Sequence, residues 1–147
     1  VAESVWTDPL AVIVPARHPL LAHVQVPLAE ALKFPLVLCH PEPGSGCRHQ
    51  IQAMLPDAKT PPRVVDEVTT LGVMLTLVGA GYGIGFAIAS QVQTLQRPDI
   101  SIRPLAGTPP MLSTYLLRRK GEPSEPMKRF IARVKDGAAP VDDDPGL

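Results

Sequence analysis

The sequence predicts an α/β fold built on a mainly parallel sheet, and three observations carry that expectation. Strand-like apolar runs alternate with helix-like segments from about residue 10 to residue 105, the order of strand–helix–strand units. The stretch Val68 to Ala89, VTTLGVMLTLVGAGYGIGFAIA, passes from a helical period through a glycine turn into a short strand. Hydrophobic residues make up 45% of the 147, enough for a real core, while charged residues are only 19%.

Taken in order, Leu10 to Val14 is a compact apolar run ended by Pro15, consistent with a buried strand. His18 and His23 flank a proline-containing turn, where capping or solvent exposure is expected rather than ligation. Pro27 opens a short helix, Leu28 to Lys33, because its missing N–H costs nothing at a helix start. Pro35 to Cys39 is a second buried strand, followed by a loop over His40 to Cys47 with two prolines and two glycines. A helix is expected from Arg48 to Leu55, with Ile51, Met54 and Leu55 inward, and a third strand over Arg63 to Asp66.

In the next helix Leu71, Met74, Leu75 and Val78 fall at i, i+3, i+4 and i+7. Gly79, Gly81, Gly83 and Gly85 then oppose helix at roughly 1 kcal/mol each relative to Ala. The helix therefore ends near Val78, a turn follows, and a strand runs from about Ile84 to Ile88. A polar helix or turn over Ser90 to Gln96 leads to strands at Ile100 to Leu105 and Ser113 to Arg119. Ser124 is placed to cap a last helix whose Met127, Phe130, Ile131 and Val134 form one apolar stripe. The tail GAAPVDDDPGL, 137–147, lacks apolar periodicity and is expected to be disordered.

Composition and motifs exclude several classes. Formal net charge is zero, so no global field favours nucleic acid or an anionic membrane. Two cysteines are too few for a disulfide scaffold, and no signal peptide opens the chain, so a cytoplasmic setting is the default. The uncharged stretch between Glu67 and Arg97 has the length of a membrane span, but its glycines and Thr69, Thr70 and Thr76 argue against one. No GxGxxG register fits it, and its order runs from helix to strand, the reverse of a dinucleotide loop. Cys39, His40, Cys47 and His49 are all ligand types, but C-H-x6-C-x-H is not a common zinc pattern, so no metal is expected. Gly44-Ser45-Gly46 is not a nucleophile elbow, and no acid–base pair can be placed, so neither enzyme activity nor a cofactor is expected.

TTLGVMLTLVGAGYGIGFAIAS resembles the helix–glycine turn–strand signature in the effector-binding domain of LysR-type transcriptional regulators. PLAVIVPARHPLLAH, VPLAEALKFPLVLC and RPLAGTPPMLSTYLLRR resemble three further passages of that domain, in the same order and spacing, from about Leu10 to Val134. Ile88 stands where the family usually places Pro. The resemblance implies a periplasmic-binding-protein-like lobe, with a small organic, often carboxylated effector held between two lobes. It implies a crossover strand over 1–12, a second lobe over 13–104, and return strands and a helix over 105–136 that belong to a first lobe. It also implies self-association, and DNA binding only through a winged helix-turn-helix that these residues do not contain. Alternatives are a fragment of a two-lobed solute-binding protein and a redox-sensing regulator, since some family members sense peroxide with a cysteine in the region of Cys47.

In open α/β sheets, ligands bind beyond the carboxyl ends of the strands. That rule selects His40 to Arg48, Glu67 to Thr70, and Gly85 to Ile88. Gly44, Ser45 and Gly46 precede a helix, where backbone N–H groups and a hydroxyl suit a carboxylate; Thr69 and Thr70 stand in the same relation to the next helix. Simple N-capping accounts for the same residues equally well. Phe86 and Ile88 are the candidate apolar wall. Half of the Lys and Arg residues lie between Arg118 and Lys135, a local positive face best read as a solvated helix surface.

Overall fold

The apolar run Leu10 to Val14 becomes the centre of β1 (Ala2–Pro15), and it pairs on both sides. The structure, a computed structural model, describes residues 1–39 and 62–137. The expected loop after Cys39, the helix over 48–55 and the tail beyond Gly137 lie outside the described residues. The chain falls into two compact units, Asp8–Leu112 and Val1–Thr7 with Ser113–Leu147.

In the larger unit β1 is flanked by β4 (Gly85–Ile88) and β5 (Ile100–Pro104), both antiparallel to it. Leu10 pairs with Ile88 and Ile13 with Gly85 on one side; Ala11 pairs with Pro104 and Pro15 with Ile100 on the other. β2 (Leu36–Cys39) pairs in parallel with β3 (Val64–Val68), Cys39 opposite Val68. A parallel bridge between Leu36 and Ile84 joins the two sheets. It is held by Val37 N–H donating to Ile84 O and Ile84 N–H to Pro35 O, each at 2.8 Å. β2, β3, β4 and β5 thus run one way and β1 opposes them. The class is α/β as expected, and the sheet is mixed, since β1 runs against its neighbours; apolar periodicity carries no information on strand direction and did not foretell this.

Side chains alternate between two faces, as the two-residue period of a strand requires. Leu10, Val12, Val14, Leu36, Leu38 and Phe86 pack on one side with Leu20, Val26, Ala31 and Leu32. Those partners come from a 3-10 turn (Pro19–Ala22), the helix α1 (Leu28–Ala31) and the chain around them. Ile13, Val37 and Ala87 face the other way, onto Met74, Leu75 and Val78 of α2 (Leu71–Gly79) and Val92 of α3 (Ala89–Val92). Both faces are covered, which is why the strands read as unbroken apolar runs. His18 caps the 3-10 turn, its Nδ1 accepting from Leu20 N–H at 3.3 Å, and stacks edge-on against Phe34.

The glycines after α2 are required by their surroundings. Gly81 has φ of +85°, the left-handed region in which a Cβ clashes with the following carbonyl. A Cβ on Gly83 would stand 2.5 Å from Pro35 O, and one on Gly85 would stand 2.9 Å from Met74 Sδ. A Cβ on Gly79 would collide with the Asp99 carboxylate, which Arg97 holds with two bonds at 2.6 and 3.0 Å. Those bonds also keep the Asp99 carboxyl below its ordinary pKa.

In the smaller unit, the start of β1 pairs with the end of β6 (Met111–Leu117). Val1 N donates to Arg118 O at 2.7 Å and Arg118 N to Val1 O at 3.0 Å, the exchange typical of a hydrogen-bonded antiparallel pair. α4 (Glu125–Asp136) begins after Ser124, which occupies the cap position without a side-chain cap bond. Glu3 binds Lys135 at 3.1 Å and Arg118 at 3.5 Å, tying β1 to α4. No helix among the described residues is long and apolar enough to cross a membrane.

Candidate functional site

Parallel pairing gathers the candidate residues. β2 and β3 run together to Cys39 and Val68, and the Leu36–Ile84 bridge sets β4 in the same direction. The chain leaving β2, the Thr69-Thr70 step after β3 and Ile88 at the end of β4 therefore emerge at one edge of the sheet. This is the carboxyl edge that the strand order selects for ligands.

Thr70 turns the chain from strand into helix. Its backbone is extended at φ −129° and ψ 145°, and its Oγ1 accepts from Val73 N–H at 3.3 Å. Met74 N–H reaches Thr70 O at 3.2 Å, closing the first turn. The N–H groups of Leu71 and Gly72 come too early in α2 to have an acceptor inside it, so they point outward at its positive end. With Thr69 they offer donors to an anion, whereas capping employs only the acceptor function of Thr70.

The two apolar candidates occupy different places. Phe86 is 2% exposed and lies inside the first core cluster, beneath the surface of the edge. Ile88 is half-buried, packs against that same cluster, and marks the N-cap of α3. Cys39 is half-buried against the second cluster with Met74 and Val78. Gly44, Ser45, Gly46, His40, Cys47 and His49 lie outside the described residues. Among the described residues, no three His, Cys, Asp or Glu side chains come together as a metal site.

Sequence reasoning passed over Arg97 and Asp99, whose fork fixes the far end of α2 against Gly79. Opposite charges two residues apart in Arg97-Pro98-Asp99 were the available signal.

The family model for the LysR substrate binding domain matches residues 1–139. The chain belongs to that family. This LysR domain is similar to the Hca operon transcriptional activator HcaR of Escherichia coli (strain K12), with 26% identity over 138 residues. That match covers 94% of the chain but 46% of HcaR, so the chain spans about half the length of that relative. Among solved structures, the effector binding domain of a BenM variant superposes with a TM-score of 0.80 at 24% identity. The match covers 92% of this LysR domain and 65% of the BenM chain. The BenM effector binding domain with its effector benzoate gives 0.79 at 24% identity, covering 92% and 63%. These likenesses establish the periplasmic-binding-protein-like α/β fold.

Proposed function

We propose that this LysR domain is the ligand-sensing part of a transcriptional regulator, without catalysis, and that it holds a small carboxylated organic effector. The start of α2 at the carboxyl ends of β2 and β3 carries the reading. Its outward N–H groups and Thr69 suit a carboxylate, while Ile88 supplies apolar surface at the same carboxyl edge of the sheet. Phe86 supports that surface from beneath. Gly44, Ser45 and Gly46, which lie outside the described residues, are proposed as further anion contacts on their sequence alone. BenM, whose effector is benzoate, offers the model guest: a carboxylate on a compact apolar body.

In the regulator as a whole, residues 13–104 act as a second lobe, with 1–12 and 105–136 returning to a first. The division of the described residues into Asp8–Leu112 and a smaller unit supports that reading. DNA is contacted by a winged helix-turn-helix elsewhere in the polypeptide, and the setting is the cytoplasm.

The test uses the full regulator and two substitutions to Asp; at Thr70 the change keeps the cap, because Asp caps a helix as well as Thr does. Thr70→Asp and Ser45→Asp each place a negative charge where the carboxylate sits. Each is expected to weaken the effector response at least tenfold, and Ser45→Ala to weaken it less. If both Asp variants respond as the parent does, Ser45 and Thr70 are caps only and the site lies elsewhere.

A further inference from the structure

The turn from β6 into α4 folds around a pocket. The turn residues, with Leu117 and Met127 at the sides, enclose about 410 Å³, within the range of small-molecule sites. Gly121 bends the chain at φ +128°, and its carbonyl accepts from Arg118 Nη1 at 2.9 Å. All the charged groups of the pocket come from this turn, and none from β1 or β6. The pocket belongs to the smaller unit, whereas Thr69, Thr70 and Ile88 belong to the larger.

Charge in the pocket is uneven. Arg118, Arg119 and Lys120 line it against a single carboxylate, Glu122. Lys128 already holds Glu122 at 3.3 Å and Glu125 at 2.9 Å, so Glu122 does little to neutralise the other three. Arg119 and Lys120 are exposed, and no carboxylate among the described residues pairs with either. Arg118 reaches Glu3 Oε1 only at 3.5 Å. Its Nε is the one buried side-chain nitrogen or oxygen without a partner among the described residues. Buried donors are nearly always satisfied, so an orphaned guanidinium nitrogen beside two unpaired cations points to an anion.

We propose that this pocket binds a phosphate monoester, its phosphoryl group held by Arg118, Arg119 and Lys120 and its organic body against Leu117 and Met127. Rotation of the Arg118 guanidinium toward the ligand presents Nε and Nη2 as a fork, the geometry that suits a phosphoryl group. A monocarboxylate brings one charge and leaves cations unmatched. A phosphate monoester brings close to two near neutral pH and three acceptor oxygens, which match guanidinium forks and an ammonium point charge. A pocket of this size takes one phosphoryl group on a compact body, whereas duplex DNA spreads its charges along an extended track. The proposal is independent of the effector site at the start of α2.

Calorimetric titration of the 147-residue chain with phenyl phosphate tests it. At pH of about 7.5 the ester is expected to bind with Kd below about 1 mM, and inorganic phosphate more weakly. Binding should weaken as pH falls through about 6, where the monoanion replaces the dianion. Arg119→Gln combined with Lys120→Gln, both at exposed positions, is expected to weaken binding about tenfold or more while leaving far-UV circular dichroism intact. Arg129→Gln, on α4 but outside the pocket, is expected to change nothing. Benzoate, the probe for the effector site, should bind the parent and the double variant alike, so failure at one site is distinguishable from failure at the other. No binding of phenyl phosphate at about 10 mM, an Arg129→Gln loss equal to that of the double variant, or equal affinity for inorganic phosphate overturns the proposal. So does loss of phenyl phosphate binding in the full regulator, which would assign these cations to another part of the polypeptide. A duplex oligonucleotide that displaces the ester, and loses more affinity than the ester does in the double variant, makes DNA the occupant instead.

Discussion

Replacing Gly83 by Ala and replacing Gly72 by Ala should move stability in opposite directions. At Gly83 the added Cβ would lie 2.5 Å from Pro35 O and 3.0 Å from its carbonyl carbon, where ordinary contact begins at 3.4 Å. Both atoms are backbone and cannot rotate aside. Relief requires about 0.9 Å of movement, and the same oxygen accepts from Ile84 N–H at 2.8 Å, the bond that joins β2 to β4. Overpacking of this kind costs about 1–3 kcal/mol, and a weakened hydrogen bond adds about 1. The expected loss is about 2–4 kcal/mol. At Gly72 a Cβ meets nothing within 4 Å, and the residue is helical. Alanine there should add about 0.5–1 kcal/mol through helix propensity and a less disordered unfolded chain. Trp6 lies outside the larger unit, so urea unfolding is followed by far-UV circular dichroism. With a slope of about 1–3 kcal/mol/M, the Gly83→Ala midpoint should fall by about 1–2 M. The reasoning fails if Gly83→Ala unfolds within a few tenths molar of the parent, or if Gly72→Ala unfolds earlier than the parent.

Burial holds the His18 pKa below its ordinary 6.5, so the unfolded chain binds the proton more tightly. The stability this contributes is complete above pH 6.5 and is lost as pH falls through that value; His18→Asn, which keeps a capping acceptor, should flatten the melting-temperature profile between pH 7.5 and 5.5. Lys135, through a hydrogen bond and its charge, and Arg118 beside it lower the Glu3 pKa from 4.5. The resulting stabilisation is present above pH 4.5 and lost on acidification below it, and a carboxyl NMR titration of Lys135→Met should show the Glu3 pKa rising toward 4.5; an unchanged titration would contradict the pairing. Half of the basic residues lie between Arg118 and Lys135, so the isolated chain should bind duplex DNA only weakly, without sequence preference. Its affinity should fall steeply from 50 to 200 mM salt in fluorescence anisotropy, and selective binding that survives physiological salt would refute this.

The fold was legible where side chains alone decide. The i, i+3, i+4, i+7 spacing of Leu71, Met74, Leu75 and Val78 located α2 within a residue or two, and three of the four are buried. Gly79 to Gly85 marked the turn, but not that three of these glycines are demanded by neighbours as distant in sequence as Pro35. Such close approaches are tertiary facts, and no local pattern encodes them. The apolar run alone marked β1 only over 10–14, and it took the family resemblance to extend a crossover strand back to residue 1; the strand runs from Ala2 to Pro15, its earlier half alternating with Ser, Thr and Glu and pairing with β6 rather than filling a core. Thr70 was placed correctly at a helix start. Phe86 was read with Ile88 as an apolar wall of the site, because strand period gives alternation but not which face is which; pairing beside Val12 puts it in the core.

The central position of β1 also has a consequence in time. Leu10 to Val14 leave the ribosome before their ladder partners, Gly85 to Ile88 and Ile100 to Pro104. Synthesis at about 5–20 residues per second keeps this apolar segment waiting for roughly 4–18 s before it can be paired. During that interval LAVIV is a short, uncharged, β-prone sequence of the kind that joins other chains. Pro9 stands immediately before it and Pro15 immediately after. Neither has an N–H to donate, so a stray strand seeking to extend along this one meets a break at each end. In the folded sheet the two prolines are scarcely needed; on the nascent chain they are its protection.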